Sequence, residues 1–164
     1  MGDVNIYVDF HQFTVVADDA WSDEVPLQPS PGPLALLFEP RTTRAAVLTG
    51  IATGPVKVTV AALTSPPIAV DDTWEDVAEV SLEVANSLEV SGWGGTEGAA
   101  LGRLNAAGPG SYRVRVHANG RDRSSDLAVG EPVEQYLIVA WPAPAEPPRS
   151  LRSRSTKALE ELSG

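Results

Sequence analysis

The sequence predicts an all-β protein: an antiparallel β-sandwich of about eight or nine short strands with a Pro-rich C-terminal tail. Three observations predict it. Apolar residues recur at every second position over short windows, and no window carries a sustained helical period. Glycine and proline clusters separate those windows. With 43% apolar residues in a chain of 164, there is enough hydrophobic side chain for a single buried core.

The first window sets Val4, Ile6, Val8 and Phe10 on one face against Asn5, Tyr7 and Asp9, as a half-buried strand requires. Residues 13–16 read as a second strand or as a continuation past a bulge. Residues 18–33 carry four prolines and read as loop, because proline removes the backbone donors that a sheet or helix needs. Residues 34–38, 45–52 and 56–63 are the next strands. The last is the clearest of these, with Val56, Val58 and Val60 opposite Lys57 and Thr59. Residues 71–75 form an acidic turn, and 77–84 and 88–90 are strands, the latter ending at a turn over Gly92–Gly95.

The strongest strand spans 111–117. Tyr112, Val114 and Val116 face a core, while Arg113, Arg115 and His117 face the other way, toward solvent. Asn119-Gly120 then signals a hairpin or turn. Residues 136–141 are uniformly apolar and read as a central strand buried on both faces. The chain therefore divides into a β-sandwich domain, 1–141, and a Pro-rich linker and tail, 142–164, which is mobile or lies against the domain or a neighbour. Within the tail, 156–162 has the pattern of a short helix capped by Ser155.

Composition narrows function. The net charge is −10, and residues 1–102 hold fifteen acids against three bases. That balance argues against nucleic-acid binding, which needs clustered Lys and Arg. It either keeps the protein soluble or steers a basic partner. No apolar run reaches the roughly 20 residues of a membrane helix, and the opening residues have neither the basic nor the apolar region of a signal peptide. The absence of cysteine fits a reducing cytoplasm.

Signals for catalysis or metal binding are missing. There are two histidines, His11 and His117, far apart in sequence, and no Gly-x-Ser-x-Gly elbow. Two acidic runs collect carboxylates of the kind calcium uses: Asp18, Asp19, Asp23 and Glu24, and Asp71, Asp72, Glu75 and Asp76. Neither has EF-hand spacing, so both read as solvated turns, and no metal or other cofactor is assigned. The stripe Arg113, Arg115 and His117, extended by Arg121 and Arg123, meets an acidic partner or pairs with the protein's own acids; cross-strand pairing is the favoured reading. Trp21, Trp74 and Trp93 fall in loops or at strand ends, where tryptophan either marks a binding surface or closes a core.

Phe10-His11-Gln12-Phe13-Thr14-Val15 resembles the opening of the ComJ-like proteins, inhibitors of a competence-associated nuclease. The resemblance extends through Trp74-Glu75-Asp76-Val77-Ala78-Glu79-Val80, Gly110-Ser111-Tyr112-Arg113-Val114-Arg115-Val116 and residues 135–142, pieces that also resemble a group of uncharacterised proteins from GC-rich bacteria. These pieces cover less than a third of the chain and carry no functional residue over. The resemblance implies a sandwich and a stoichiometric, non-enzymatic role, in which an acidic face fills the cationic groove of a basic nuclease or toxin. The densest acidic cluster supplies the expected partner-binding residues: Asp71, Asp72, Trp74, Glu75, Asp76 and Glu79. The alternative is a structural or assembly module that docks into a larger complex through its tail.

Overall fold

In the computed structural model, residues 3–18, 37–38, 43–67, 69–92 and 101–158 are described. They form ten strands: β1 (Asp3–Val8), β2 (Gln12–Ala17), β3 (Leu37–Phe38), β4 (Arg44–Leu48), β5 (Gly54–Ala62), β6 (Asp76–Val84), β7 (Leu88–Ser91), β8 (Gly110–Asn119), β9 (Gln135–Pro142) and β10 (Arg149–Ser153). One sheet has the order β1-β5-β9-β8-β6-β10 and the other β3-β4-β2-β7. No helix among the described residues is long and apolar enough to cross a membrane.

The inward side chains of both sheets meet in one core. Ile6 and Val8 of β1, Val56 and Val58 of β5, Val80 and Leu82 of β6, Val114 and Val116 of β8 and Ile138 of β9 are buried against Phe13, Val15, Val47 and Val90 of the smaller sheet. Each such aliphatic side chain contributes roughly 1.5–3 kcal/mol on burial. Phe13 and Tyr136 meet edge to face at 5.1 Å and tie the two layers together. The alternation in 4–8, 56–60 and 112–116 thus reports the inner face faithfully. At Phe10 it fails, because that residue has left the strand for a turn and is exposed.

The sandwich is not wholly antiparallel. β5 and β9 run parallel, from Lys57 opposite Gln135 to Ala62 opposite Ala140. Alternation assigns side chains to faces and is the same for either strand direction, so sequence pattern cannot see this pairing. β9 does lie centrally, between β5 and β8, with Ile138 and Ala140 buried on one face and Val139 and Trp141 on the other.

Residues 142–158 lie against the domain, one of the alternatives the sequence leaves open, and they add a strand to it. After β9 the proline-rich segment crosses the outer face of the large sheet, where Ala143 N–H donates to the Ser111 carbonyl and Glu146 N–H to Ser81 Oγ. The chain then enters β10, which pairs antiparallel with β6 (Arg149 opposite Glu79, Ser153 opposite Asp76) across a bulge. A strand here was not foreseen, because Arg149-Ser150-Leu151-Arg152-Ser153 has no apolar face to announce it. Ser155 caps the turn that follows, accepting a hydrogen bond from Ala158 N–H at 2.9 Å, and residues 156–158 are helical. The remainder of the expected helix lies outside the described residues.

Candidate functional site

The predicted partner-binding residues occupy the turn before β6 and the first half of that strand, and the fold separates them into two groups. Asp71 and Asp72 are exposed. Asp71 Oδ1 accepts from Thr73 N–H at 2.9 Å, and this backbone bond holds its carboxyl below the ordinary value. The Asp72 side chain is 94% exposed, with Arg152 of β10 at 3.4 Å. Trp74 is half-buried and rests on the His117 ring, with centroids 5.5 Å apart. Glu75 reaches sideways, its Oε1 accepting from Gly120 N–H at 2.7 Å. It forms one wall of an open cleft of about 370 Å³, with Thr73 beside it and Lys57 and Arg123 supplying positive charge.

Asp76 and Glu79 are not on this surface. Asp76 is buried at the end of the sandwich, where its Oδ2 accepts from Arg121 at 2.9 Å and from the Ser155 hydroxyl at 2.7 Å. Its Oδ1 accepts from the N–H groups of Arg154 and Ser155. Glu79 lies beneath the tail, between Arg113 Nε at 3.1 Å and Arg115 Nε at 2.7 Å. Neither carboxylate can meet a partner directly. The parity of β6 places Glu79 on the outer face, which the sequence marks as wet; the tail strand makes it dry.

The arginine stripe follows the same correction. Arg113, Arg115 and His117 point outward from β8 as predicted, yet all three are buried. Arg113 donates to Ser81 Oγ and to the carbonyls of Glu146 and Pro147, so it clamps the proline-rich segment onto the sheet. The Arg115 guanidinium lies 5.4 Å from the centre of the Trp141 ring. Internal pairing is therefore what the stripe does. Arg121 is buried against Asp76, and only Arg123, at the cleft, is exposed.

Burial sets the protonation states here. For Glu79, burial pushes the carboxyl up, but hydrogen bonds and charge from Arg115 and Arg113 outweigh it and leave the group below its ordinary 4.5. Burial holds His117 below its ordinary 6.5, so the ring is neutral at pH 7. His117 binds its proton more readily when unfolded, so its effect on stability is absent above about pH 7 and grows as pH falls below 6.5. The Glu79 contribution is complete above 4.5 and is lost as pH falls through its lower folded value. A melting profile between about pH 3 and pH 8 should therefore decline in two steps. His117→Gln should flatten the upper step and leave the lower one, and an unchanged upper step would show that another group controls it.

Sequence reasoning missed Glu134. Its carboxylate is buried and accepts from the N–H groups of Gly50 and Ile51 and from the Tyr136 hydroxyl. Gly50 is required there, because a Cβ would sit 1.9 Å from the Arg121 carbonyl oxygen. No spacing or periodicity links these positions. Among the described residues, no group of three or more His, Asp or Glu is placed to hold a metal ion. Of the first acidic run only Asp18 is described, and its carboxylate accepts from the N–H groups of Ala85, Asn86 and Ser87. Asp19, Asp23, Glu24, Trp21 and Trp93 lie outside the described residues.

The described residues form an all-β fold with a polar layer buried beneath the tail strand and an exposed acidic turn beside a cleft. No family model matches the chain, and no curated protein matches it. Its structure is similar to that of ComJ from Bacillus subtilis, the inhibitor of the DNA-degrading activity of NucA, with a TM-score of 0.55 at 12% identity, covering 87% of this chain and 96% of ComJ. It also matches the crocagin biosynthetic protein J at a TM-score of 0.44 and 16% identity, over 88% of this chain and all of that one. The ComJ likeness, at so low an identity, is one of fold.

Proposed function

We propose that this chain is a non-catalytic protein-binding domain whose acidic turn occludes the cationic groove of a basic nuclease or toxin. The observation that carries the reading is the exposure of Asp71 and Asp72 on a turn backed by Trp74 and Glu75, in a half of the chain with fifteen acids and three bases. Arg152, itself 17% exposed, donates to the carbonyls of Asp71 and Trp74 and lies 3.4 Å from the Asp72 carboxylate, so the turn is pinned to β10 while its two carboxylates stay at the surface. The shared fold with a nuclease inhibitor supports the same reading. We propose the cytoplasm as its setting, in keeping with a cysteine-free sequence. Because β10 is bound in its own sheet, docking through the tail gains no support from it.

The test is kinetic. The tagged chain is used to recover a basic protein from its native host, and association with that purified protein is followed at several salt concentrations. Reversing the charge with Asp71→Lys and Asp72→Lys should slow association on the order of tenfold at low salt and flatten its salt dependence. An unchanged on-rate would remove the acidic turn from the interface.

A further inference from the structure

His117 lies between the acidic turn and the large sheet. It points outward from β8, opposite Val77 of β6 and Leu137 of β9, and Val77 is in turn opposite Arg152 of β10. The residue is 4% exposed, and Trp74 of the turn rests on its ring with centroids 5.5 Å apart at a tilt of 51°. Its Nδ1 stands 2.9 Å from the Leu137 carbonyl oxygen. A carbonyl only accepts, so Nδ1 carries the proton of the neutral ring and a second proton goes to Nε2.

The charges facing that ring are Arg115 on its own strand, Glu79 on β6 and Arg152 on β10. Glu79 already serves Arg113, Arg115 and, at 3.8 Å, Arg149, while Glu75 of the turn is committed to Gly120 N–H. An imidazolium here therefore joins two guanidiniums without a carboxylate of its own, and Trp74 supplies no countercharge. Burial first, and then Arg115 and Arg152, oppose the charged ring, against the Leu137 carbonyl and Glu79. A charge so placed is relieved by admitting water, and the side chain in its way is Trp74. Arg152, which the new charge repels, is also what holds the turn, through the carbonyls of Asp71 at 2.8 Å and Trp74 at 2.9 Å. The other ties of the turn are Arg154 to the Asp72 carbonyl, and Glu75 N–H to Asn119 Oδ1 and the Ala118 carbonyl.

We propose that His117 is an acid-operated latch: protonating its ring frees Trp74 and the turn 71–75 from the sheet, so that the acidic face holds a basic partner at neutral pH and releases it in acid. The inference rests on the protein-binding reading above and adds its regulation. Loss of charge on Asp71 does not account for such a release, because Thr73 N–H holds its carboxyl below the ordinary 3.8. The turn keeps that charge and loses its fixed geometry, which lowers affinity by reducing the binding-competent fraction.

Two measurements on the full chain test it. The first needs no partner: the His117 ring is titrated by NMR between about pH 5 and pH 8, and exchange protection of the Glu75 amide, corrected for intrinsic exchange, is followed over the same range. Protection should fall at least about tenfold with the midpoint of the ring, and the fall should vanish in His117→Gln, which cannot be charged. A ring that stays neutral throughout, a ring that titrates with protection unchanged, or a fall that persists in the variant would each overturn the latch. Should the variant fail to fold, the two midpoints of the unaltered chain decide, and midpoints that differ overturn it. The second measurement takes the purified basic protein recovered with the tagged chain and compares Kd at about pH 7.5 and about pH 5.5. Affinity should weaken about fivefold or more for the unaltered chain and not for His117→Gln; equal weakening of both would overturn control by His117. An on-rate indifferent to Asp71→Lys and Asp72→Lys sinks the acidic-turn interface instead, and the Glu75 amide reports the latch separately.

Discussion

Replacing Glu79 with alanine is expected to lower the unfolding free energy by about 3–5 kcal/mol. The carboxylate is 4% exposed and is held by two buried guanidiniums, Arg113 at 3% exposure and Arg115 at 11%, and the exposed Arg149 lies 3.8 Å away. Removing it leaves two positive charges facing each other in a layer from which the tail has driven water. Arg113 also holds the carbonyls of Glu146 and Pro147, so repulsion there loosens the proline-rich segment and admits solvent to Trp141. Urea unfolding measures the effect directly. Replacing Glu79, Arg113 and Arg115 together by apolar residues of similar size should recover most of the loss, since a buried ion cluster and a packed apolar one are often close in stability. A loss below about 1 kcal/mol in the single variant would show that the arginines find water instead.

Truncation after residue 148 is expected to do more damage, on the order of 5 kcal/mol or above. It removes the β10 ladder from β6 and takes away Ser155 and the Arg154 N–H, three of the donors that satisfy Asp76. Arg121, fully buried in the intact chain, is left beside a carboxylate that has lost those three donors. The bared edge of β6 is a template for another strand, so self-association should accompany the loss, seen as a larger sedimentation coefficient. Ser155→Ala alone should cost about 1–2 kcal/mol, through the lost cap and the lost hydrogen bond to Asp76. A truncated chain with an unchanged urea midpoint would show that the tail lies on the domain without stabilising it. Deleting the tail is thus a test of folding before it is a test of docking.

The candidate site was only half legible in the sequence. Asp71, Asp72, Trp74 and Glu75 lie where an acidic turn before a strand suggests, at the surface. Asp76 and Glu79 carry the same charge in the same run, yet they are interior ion-pair partners. What separates them is residues 113–121 and 149–155, which lie dozens of positions away. A run of acids reports local charge, and only contacts distant in sequence decide which of them keep their water. Glu134 and the Phe10-His11 turn were invisible for the same reason. One is defined by Gly50 and Ile51, and the other by loops around Ala52 and Asp126.

By itself the sequence determined most of the strands, the inward faces of β1, β5 and β8, the end of β8 at Asn119-Gly120 and the Ser155 cap, because each depends on a few neighbouring residues with a fixed period or backbone preference. The tertiary structure alone decided that β5 pairs parallel with β9, that the tail supplies an edge strand, and that the outer face of β8 is a buried ion layer. Side-chain alternation carries no information on strand direction, and a polar face looks the same in sequence whether water or its own arginines and acids cover it. The choice was made by the free energy of pairing charges across distant segments, which no local window contains.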